Sequence, residues 1–225
     1  MTVTWRSSSA NGTSGANSLA SSMPTGWQPG DLLVAFVHGK DTTQAWTISA
    51  APSGWDAVAA QRSDTNASNR YRSQLFTRRA QAGDTAPTFN FSIAVTHTIC
   101  SLVAVEDGAY LHHNNSYIQG VPTGTAQTFP SLTVPAQDQV VLSFVGASRG
   151  ATTLNVGGTG GFTRDQNLSQ GGAGGVQVGS SHRASSSANP SGTNWSVTNG
   201  CDFEQWDIAL GSDAIARAGQ VFLIA

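Results

Sequence analysis

Alternating apolar and polar residues run along much of this chain and predict β-strands. Phe89, Phe91 and Val95 alternate with polar or small residues, a pattern typical of a half-buried strand whose aromatic side chains face a core. Val3 and Trp5 follow the same alternation in a predicted first strand. No apolar stripe with helical spacing extends over a useful length. The pattern therefore predicts an all-β protein.

Two segments are apolar on both faces of a strand. Leu32–Val37 and Val140–Val145 are too short for a typical helix, so we predict central strands that are covered on both sides. Turn signals at 29–31, 52–54, 82–84, 107–108 and 189–192 separate the strands, and residues 213–218 fit one helical turn. Many short strands with closely spaced turns predict a β-sandwich or a barrel.

The same order of patterns occurs twice along the chain. The matched positions include Leu32–Val37 with Val140–Val145, Gly54-Trp55 with Gly161-Phe162, Arg79 with Arg183, and Phe89 with Trp195. We predict a single jelly-roll-like β-sandwich, residues 1–225, with an internal pseudo-two-fold repeat of about 1–108 and 109–225. Each half would supply strands to both sheets, and residues 109–130 would link the halves. Two small sandwiches in tandem are the alternative.

The composition limits the classes of partner. Of 225 residues only 11% are charged, against a usual share of about 25%, and the net charge is −2. This balance gives no electrostatic reason to expect nucleic acid or an anionic membrane as a partner. A surface rich in Ser, Thr, Asn and Gln suits packing against other protein.

The N-terminus and the two cysteines indicate the cellular compartment of the protein. No apolar segment follows Met1, so we predict no signal peptide, and no apolar run reaches the length of a membrane span. The chain would remain in the cytoplasm of the cell that makes it, unless a specialised route exports it. Cys100 and Cys201 do not occupy matching places in the two halves, and we predict two buried, reduced thiols.

Several segments resemble a known group of proteins. They are Gly30–Phe36, Gly54-Trp55, Tyr71–Arg79, Thr88–Ser92 and Leu102–Val105. Their order resembles that of phage virion and tail-associated β-sandwich proteins. The resemblance covers most of the chain and implies a structural role, but it carries no catalytic signature.

Candidate catalytic and metal-binding motifs are weak. Gly146–Gly150 matches the nucleophile elbow G-x-S-x-G around Ser148, but a β-like segment follows where the elbow needs a helix, so we interpret the match as chance. The glycine-rich loops lack a lysine and a following helix, so we predict no cofactor site. His112 and His113 have no third ligand at a suitable spacing, so we predict a solvated linker and no metal site.

Carboxylates and arginines admit a functional and a structural interpretation. A glycosidase would need two carboxylates flanking one bond, and the candidates are Glu106 and Asp107 with Asp202, Glu204 and Asp207. Burial of an acidic residue against an arginine explains them equally well. The chain has ten arginines but one lysine, Lys40, and the arginines suit either planar interface contacts or simple coding bias.

Six tryptophans make sugar binding a further hypothesis. Trp55 and Trp195 match apolar residues in the other half, and Trp5 lies on an apolar face, so all three are predicted core residues. Trp27, Trp46 and Trp206 remain possible ligand or interface residues.

These observations predict a non-enzymatic phage virion structural protein, a capsid decoration protein that stabilises the head lattice. Its partners would be the major capsid protein or other virion proteins, and it would form a homodimer or homotrimer, with no cofactor, nucleic acid or membrane involved. The alternative is a receptor- or carbohydrate-binding module of a phage tail or fibre. A hydrolase that uses Ser148 or a carboxylate pair is a third possibility.

Overall fold

A computed structural model describes residues 2–66, 69–121, 126–128, 131–134, 137–148, 154–156, 161–188, 190, 194–197 and 201–212. The strands of these residues are β1 (Thr4–Ala20), β2 (Leu32–Asp41), β3 (Asp56–Ala57), β4 (Arg62–Asn66), β5 (Asn69–Arg79), β6 (Thr88–Glu106), β7 (Gly108–Val121), β8 (Ala126–Thr128), β9 (Gln139–Ala147), β10 (Leu154–Val156), β11 (Thr163–Gln170), β12 (Val176–Ser185), β13 (Asn194–Val197) and β14 (Cys201–Ser212). One 3₁₀ turn spans Gly172–Gly174. The helical turn predicted at 213–218 and most of the turn predicted at 189–192 lie outside the described residues.

The strands form three antiparallel sheets. The first has the order β1-β6-β2-β5-β3, with β4 also paired to β5, and the second has the order β11-β12-β9-β14-β7. A small third sheet has the order β10-β13-β8. The two large sheets pack face to face, which confirms the all-β sandwich predicted from the alternation of residues.

The halves of the chain are distributed between the sheets differently from the prediction. Each half was expected to supply strands to both sheets, whereas residues 4–106 form the first sheet and residues 108–212 supply all strands of the other two. The reason lies in the turn at Asp107, whose φ of 51° sends β6 directly into β7, an edge strand of the second sheet. The internal pseudo-two-fold repeat stays a prediction.

The main core lies between the two large sheets. Alternate residues of β2 face it, and Phe36 packs against Phe144 of β9 with ring centroids 5.5 Å apart, both fully buried. Burial of a phenylalanine contributes roughly 1.5–3 kcal/mol. Two further positions of β2, His38 and Lys40, contact the residues 108 positions further along the chain. β2 and β9 therefore face each other across the core at these three positions.

The outer faces of both sheets are covered as well. On the first sheet, Phe89 and Phe91 of β6 pack with loop residues over Leu33, Ala35 and Val37. On the second sheet, a separate cluster places Trp195 of β13 over Val145 and Ala147. All residues of β2 and β9 are buried, which confirms the prediction of central strands covered on both sides. The predicted burial of Phe89 and Trp195 is also confirmed.

Residues 108–121 are a strand, so the prediction that they belong to a solvated linker is wrong. They form β7, which pairs with β14 at the edge of the second sheet. Polar side chains on both faces conceal this strand in the sequence. They are tolerated because an edge strand faces solvent along one side.

Two further predictions concern cysteine and the membrane. Cys100 and Cys201 are both buried, without a disulfide, and belong to the clusters on the outer faces of the first and second sheets respectively. Across the described part of the chain, no helix has the length and apolarity needed to cross a membrane.

Candidate functional site

Two of the three tryptophans proposed as ligand residues are part of the core. Trp46 is 1% exposed, and its indole N–H donates to the Arg70 carbonyl at 2.9 Å. Trp206 is fully buried between the sheets and donates to Ser73 Oγ at 2.8 Å. Neither indole offers a face to a ligand, which corrects the prediction. Trp27 is half-buried and packs against the cluster on the outer face of the first sheet.

The tryptophans predicted as core residues follow that prediction in two cases. Trp55 is 8% exposed and Trp195 is fully buried, with the Trp195 indole N–H donating to Ser143 Oγ at 3.0 Å. Trp5 is half-buried and stacks on the ring of His182, with centroids 4.3 Å apart.

A group of polar residues lies between the two large sheets at one end of the sandwich, and we call it the inter-sheet cluster. It consists of His38 and Lys40 of β2, Tyr71 of β5, Ser148 after β9, and Asp202 and Glu204 of β14. The alternation of β2 explains its position, because the inward face that carries Phe36 continues with His38 and Lys40. The same alternation on β14 places Asp202 and Glu204 on the face of Trp206.

His38 and Glu204 join the two sheets directly. His38 Nδ1 lies 3.0 Å from Glu204 Oε2, and both side chains are 1% exposed. A Cβ at Gly146 would lie 2.4 Å from the His38 ring, so only glycine leaves room for the imidazole. His38 Nε2 and Glu204 Oε1 have no hydrogen-bond partner among the described residues. Removing either member of this buried pair would leave the other without its partner between the sheets.

Lys40 and Tyr71 complete the inter-sheet cluster. Lys40 Nζ donates to the Ser148 carbonyl at 3.3 Å. Burial lowers the pKa of Lys40, while the negative charge of Asp202 acts in the opposite direction. Burial raises the pKa of Tyr71 far above its usual range, so its phenol stays protonated and available as a donor.

Ser148 makes structural hydrogen bonds in this cluster. Its Oγ accepts from the Asp202 N–H at 2.9 Å, and its own N–H donates to the Asp202 carbonyl at 3.1 Å. A serine nucleophile needs a base within hydrogen-bond reach of Oγ. Within the described residues, His38 is instead bonded to Glu204, and Lys40 bonds the carbonyl of Ser148 rather than its hydroxyl. The Ser148 side chain also hydrogen-bonds the Tyr71 phenol, which burial keeps protonated.

The structure separates the carboxylates proposed as a glycosidase pair. Glu106 lies at the far end of β6, where it contacts Arg6 at 3.3 Å, and Asp107 occupies the following turn. Glu204 faces the space between the sheets, whereas Asp207 lies on the opposite face of β14. Asp202 and Glu204 share the inter-sheet cluster, whereas Glu106, Asp107 and Asp207 lie away from it.

Asp207 belongs to a second buried polar group, which the sequence analysis did not connect. Gln205 Nε2 donates to both carboxylate oxygens of Asp207 at 2.9 Å and to Ser143 Oγ at 3.2 Å. Burial raises the pKa of Asp207 to about 7, against the opposing effects of the Ser143 and Gln205 hydrogen bonds and the Arg183 charge. The alternation of Gln205 and Asp207 with Trp206 is the signal that places them on the outer face.

A His–Asp pair was also missed from the sequence. His182 Nδ1 lies 2.6 Å from Asp165 Oδ1, and the carboxyl side chain is 2% exposed. Burial raises the pKa of Asp165, which the hydrogen bond from His182 opposes. The pair adjoins a cavity of 270 Å³ that Val3, Trp5 and His182 help to line. Only the pairing of β11 with β12 brings these two residues together.

Metal ligands do not converge in the described part of the chain. His112 and His113 lie on β7 with ring centroids 6.2 Å apart, and His113 stacks on Trp206. Tyr110 OH lies 2.8 Å from His113 Nδ1. No group of three or more His, Cys, Asp or Glu residues that could hold a metal occurs among the residues searched.

Comparisons with known proteins give no family assignment. No protein-family model matches the chain, and no match to it is found among curated proteins or among solved structures.

Proposed function

We propose that this protein is a non-enzymatic structural component of a phage particle, a decoration protein bound to the outside of the capsid lattice. The observation that carries the proposal is the inter-sheet cluster. Its His38–Glu204 pair and the hydrogen bond from Lys40 to the Ser148 carbonyl connect one sheet to the other. Side chains that resemble catalytic groups therefore serve to fix the sandwich.

The surface supports the same proposal. β1 and β11 expose mainly Ser, Thr, Asn and Gln, and only 11% of the residues of the chain are charged. Such a neutral, hydrogen-bonding exterior suits contacts with the major capsid protein or other virion proteins. A stable contact needs roughly 800 Å² per partner. Self-association into a dimer or trimer would multiply weak contacts with a lattice.

The test is to add the purified protein to particles that lack it. Occupancy and the melting temperature of the heads are measured for the wild type and for Ser148→Ala. We expect both to bind heads and to raise their melting temperature equally. Loss of the hydrogen bond between Ser148 Oγ and the Asp202 amide should cost the isolated protein about 1 kcal/mol without altering its outer surface.

Two outcomes would overturn the proposal. Binding to tails or host glycans, with no binding to heads, would indicate the receptor- or carbohydrate-binding module instead, and Trp27→Ala would then test the half-buried tryptophan. Hydrolysis of a substrate from a panel of glycosides and esters would indicate an enzyme, if the hydrolysis rate falls by several orders of magnitude in Ser148→Ala.

A further inference from the structure

A cleft lies between the two large sheets, at the end of β9 opposite the inter-sheet cluster. One cavity of 270 Å³ there is lined in part by Val3, Trp5, Val140, His182 and Ala184. A second cavity of 280 Å³ shares Val3 and Ala184 with the first and extends to Asp138. We call the two cavities together the His182 cleft. Cavities of this size suit a ligand that is smaller than a drug-sized molecule.

The walls of the His182 cleft are apolar apart from one imidazole. Val3 and Val140 belong to the main core, and alternation along β12 places His182 and Ala184 on the same inward face as Val178. Trp5 covers one face of the His182 ring, with the two ring planes 5° apart. An alkyl chain that enters the cleft would therefore leave water and pack against Val3 and Val140.

His182 presents one free ring nitrogen. Its Nδ1 lies 2.6 Å from Asp165 Oδ1, and the Asp165 side chain is 2% exposed. Asp165 stands where the register of β11 on β12 shifts, between Arg164 and Gln166, and such irregularities re-aim a side chain. Because a carboxylate oxygen only accepts, Nδ1 carries the proton and the neutral ring offers Nε2 as an acceptor. Nε2 makes no hydrogen bond with a described residue.

The charged side chains of the His182 cleft are acidic. Asp138 is exposed and lines the second cavity, and Asp165 stands behind His182. No lysine or arginine lines either cavity in the described part of the chain, and the neighbouring Arg6 is paired with two other carboxylates. An acceptor nitrogen, a carboxylate and an apolar wall match a ligand that carries a cationic donor on an apolar chain. Asp138 would repel an anionic ligand.

We propose that the His182 cleft binds a small organic ammonium ion, whose N–H donates to His182 Nε2 while its alkyl chain packs against Val3 and Val140. A hydrogen bond from a charged donor is among the stronger ones in proteins. Asp138 adds an attraction that a neutral ligand lacks. Asp165 is a positioning residue in this site, because it determines which ring nitrogen can accept. The inference does not depend on whether the protein binds capsids.

Three probes with the same four-carbon chain separate ammonium recognition from apolar binding. Butylammonium, butanol and butyrate are titrated into the wild type at about pH 8.5, where amines are ammonium ions and free imidazoles are neutral. Binding is followed by NMR of the indole N–H groups, and the Trp5 signal is identified by its loss in Trp5→Phe. We expect butylammonium to shift the Trp5 signal with a dissociation constant roughly tenfold or more below that of butanol, and butyrate to leave the signal unchanged. Equal shifts with all three probes, or no shift at tens of millimolar butylammonium, overturn the proposal.

Variants locate the bound ammonium ion. Ala184→Leu fills the cleft from an exposed position and should raise the dissociation constant of butylammonium roughly tenfold or more. Asp138→Asn removes the exposed carboxylate and should raise it severalfold. Asp165→Asn keeps the shape of the side chain, but its amide can donate to Nδ1, which moves the ring proton to Nε2 and should also weaken binding.

The matched control is Asp56→Asn, which removes an exposed carboxylate on β3 and should leave the dissociation constant of butylammonium unchanged. Full affinity in Ala184→Leu or in Asp165→Asn overturns the proposal. So does a loss of affinity in Asp56→Asn that equals the loss in Asp138→Asn, because the attraction would then come from the overall charge of the protein.

Discussion

Asp207 allows a test of how strongly this sandwich penalises a buried charge. Its carboxyl is fully enclosed, and burial raises its pKa from 3.8 to about 7. Because the folded pKa lies above the unfolded pKa, the protonated group favours the folded state. That contribution is complete below about pH 4 and is lost as the pH rises through about 7. A shift of about 3 units at 1.36 kcal/mol each corresponds to about 4 kcal/mol.

Asp207→Asn removes the ionisation and keeps the shape of the side chain. The amide oxygen can still accept from Gln205 Nε2, which bonds both oxygens of Asp207 in the wild type. We therefore expect similar free energies of unfolding near pH 4, and a variant that is more stable by about 2–4 kcal/mol near pH 8. Urea unfolding followed by tryptophan fluorescence measures both values.

The control is Asp56→Asn, which changes an exposed carboxylate on β3. Its difference from the wild type should stay within about 0.5 kcal/mol at both pH values. The reasoning is refuted if Asp207→Asn differs from the wild type by the same amount at pH 4 and pH 8. That result would mean that Asp207 ionises as readily in the folded chain as in the unfolded one.

Two further predictions concern the buried clusters. Phe89→Ala and Trp195→Ala should each lower the free energy of unfolding by about 3–5 kcal/mol, because each leaves a cavity in a buried cluster on the outer face of a sheet. Losses below about 1 kcal/mol would contradict the observed packing. Cys100 and Cys201 should react with a thiol reagent only after denaturation, giving two thiols per chain without reductant, since both are buried and burial raises the pKa of Cys100. A count of zero after denaturation would reveal a disulfide.

The sequence alone determined the all-β class, the central strands and several of the core residues. Period-two alternation identifies strands because side chains of a strand point to opposite faces in turn. Continuous apolar runs identified β2 and β9 as central strands, and the matched positions Phe36 and Phe144 meet in the core. These features depend on local pattern and composition, which a single chain carries in full.

Only the tertiary structure decided which polar residues come together. His38 and Glu204 are 166 positions apart, and their contact depends on how two sheets face each other. The sequence could not distinguish Trp46 and Trp206 from surface tryptophans. Trp46 lies in a loop and Trp206 in an alternating strand, and neither local pattern shows which distant segments pack against the indole. β7 was concealed for a similar reason, since an edge strand needs no apolar face of its own until its neighbours are known. The tendency of a segment to form a strand is a local property of the chain, whereas the burial of its side chains and its pairing partners depend on contacts between distant segments.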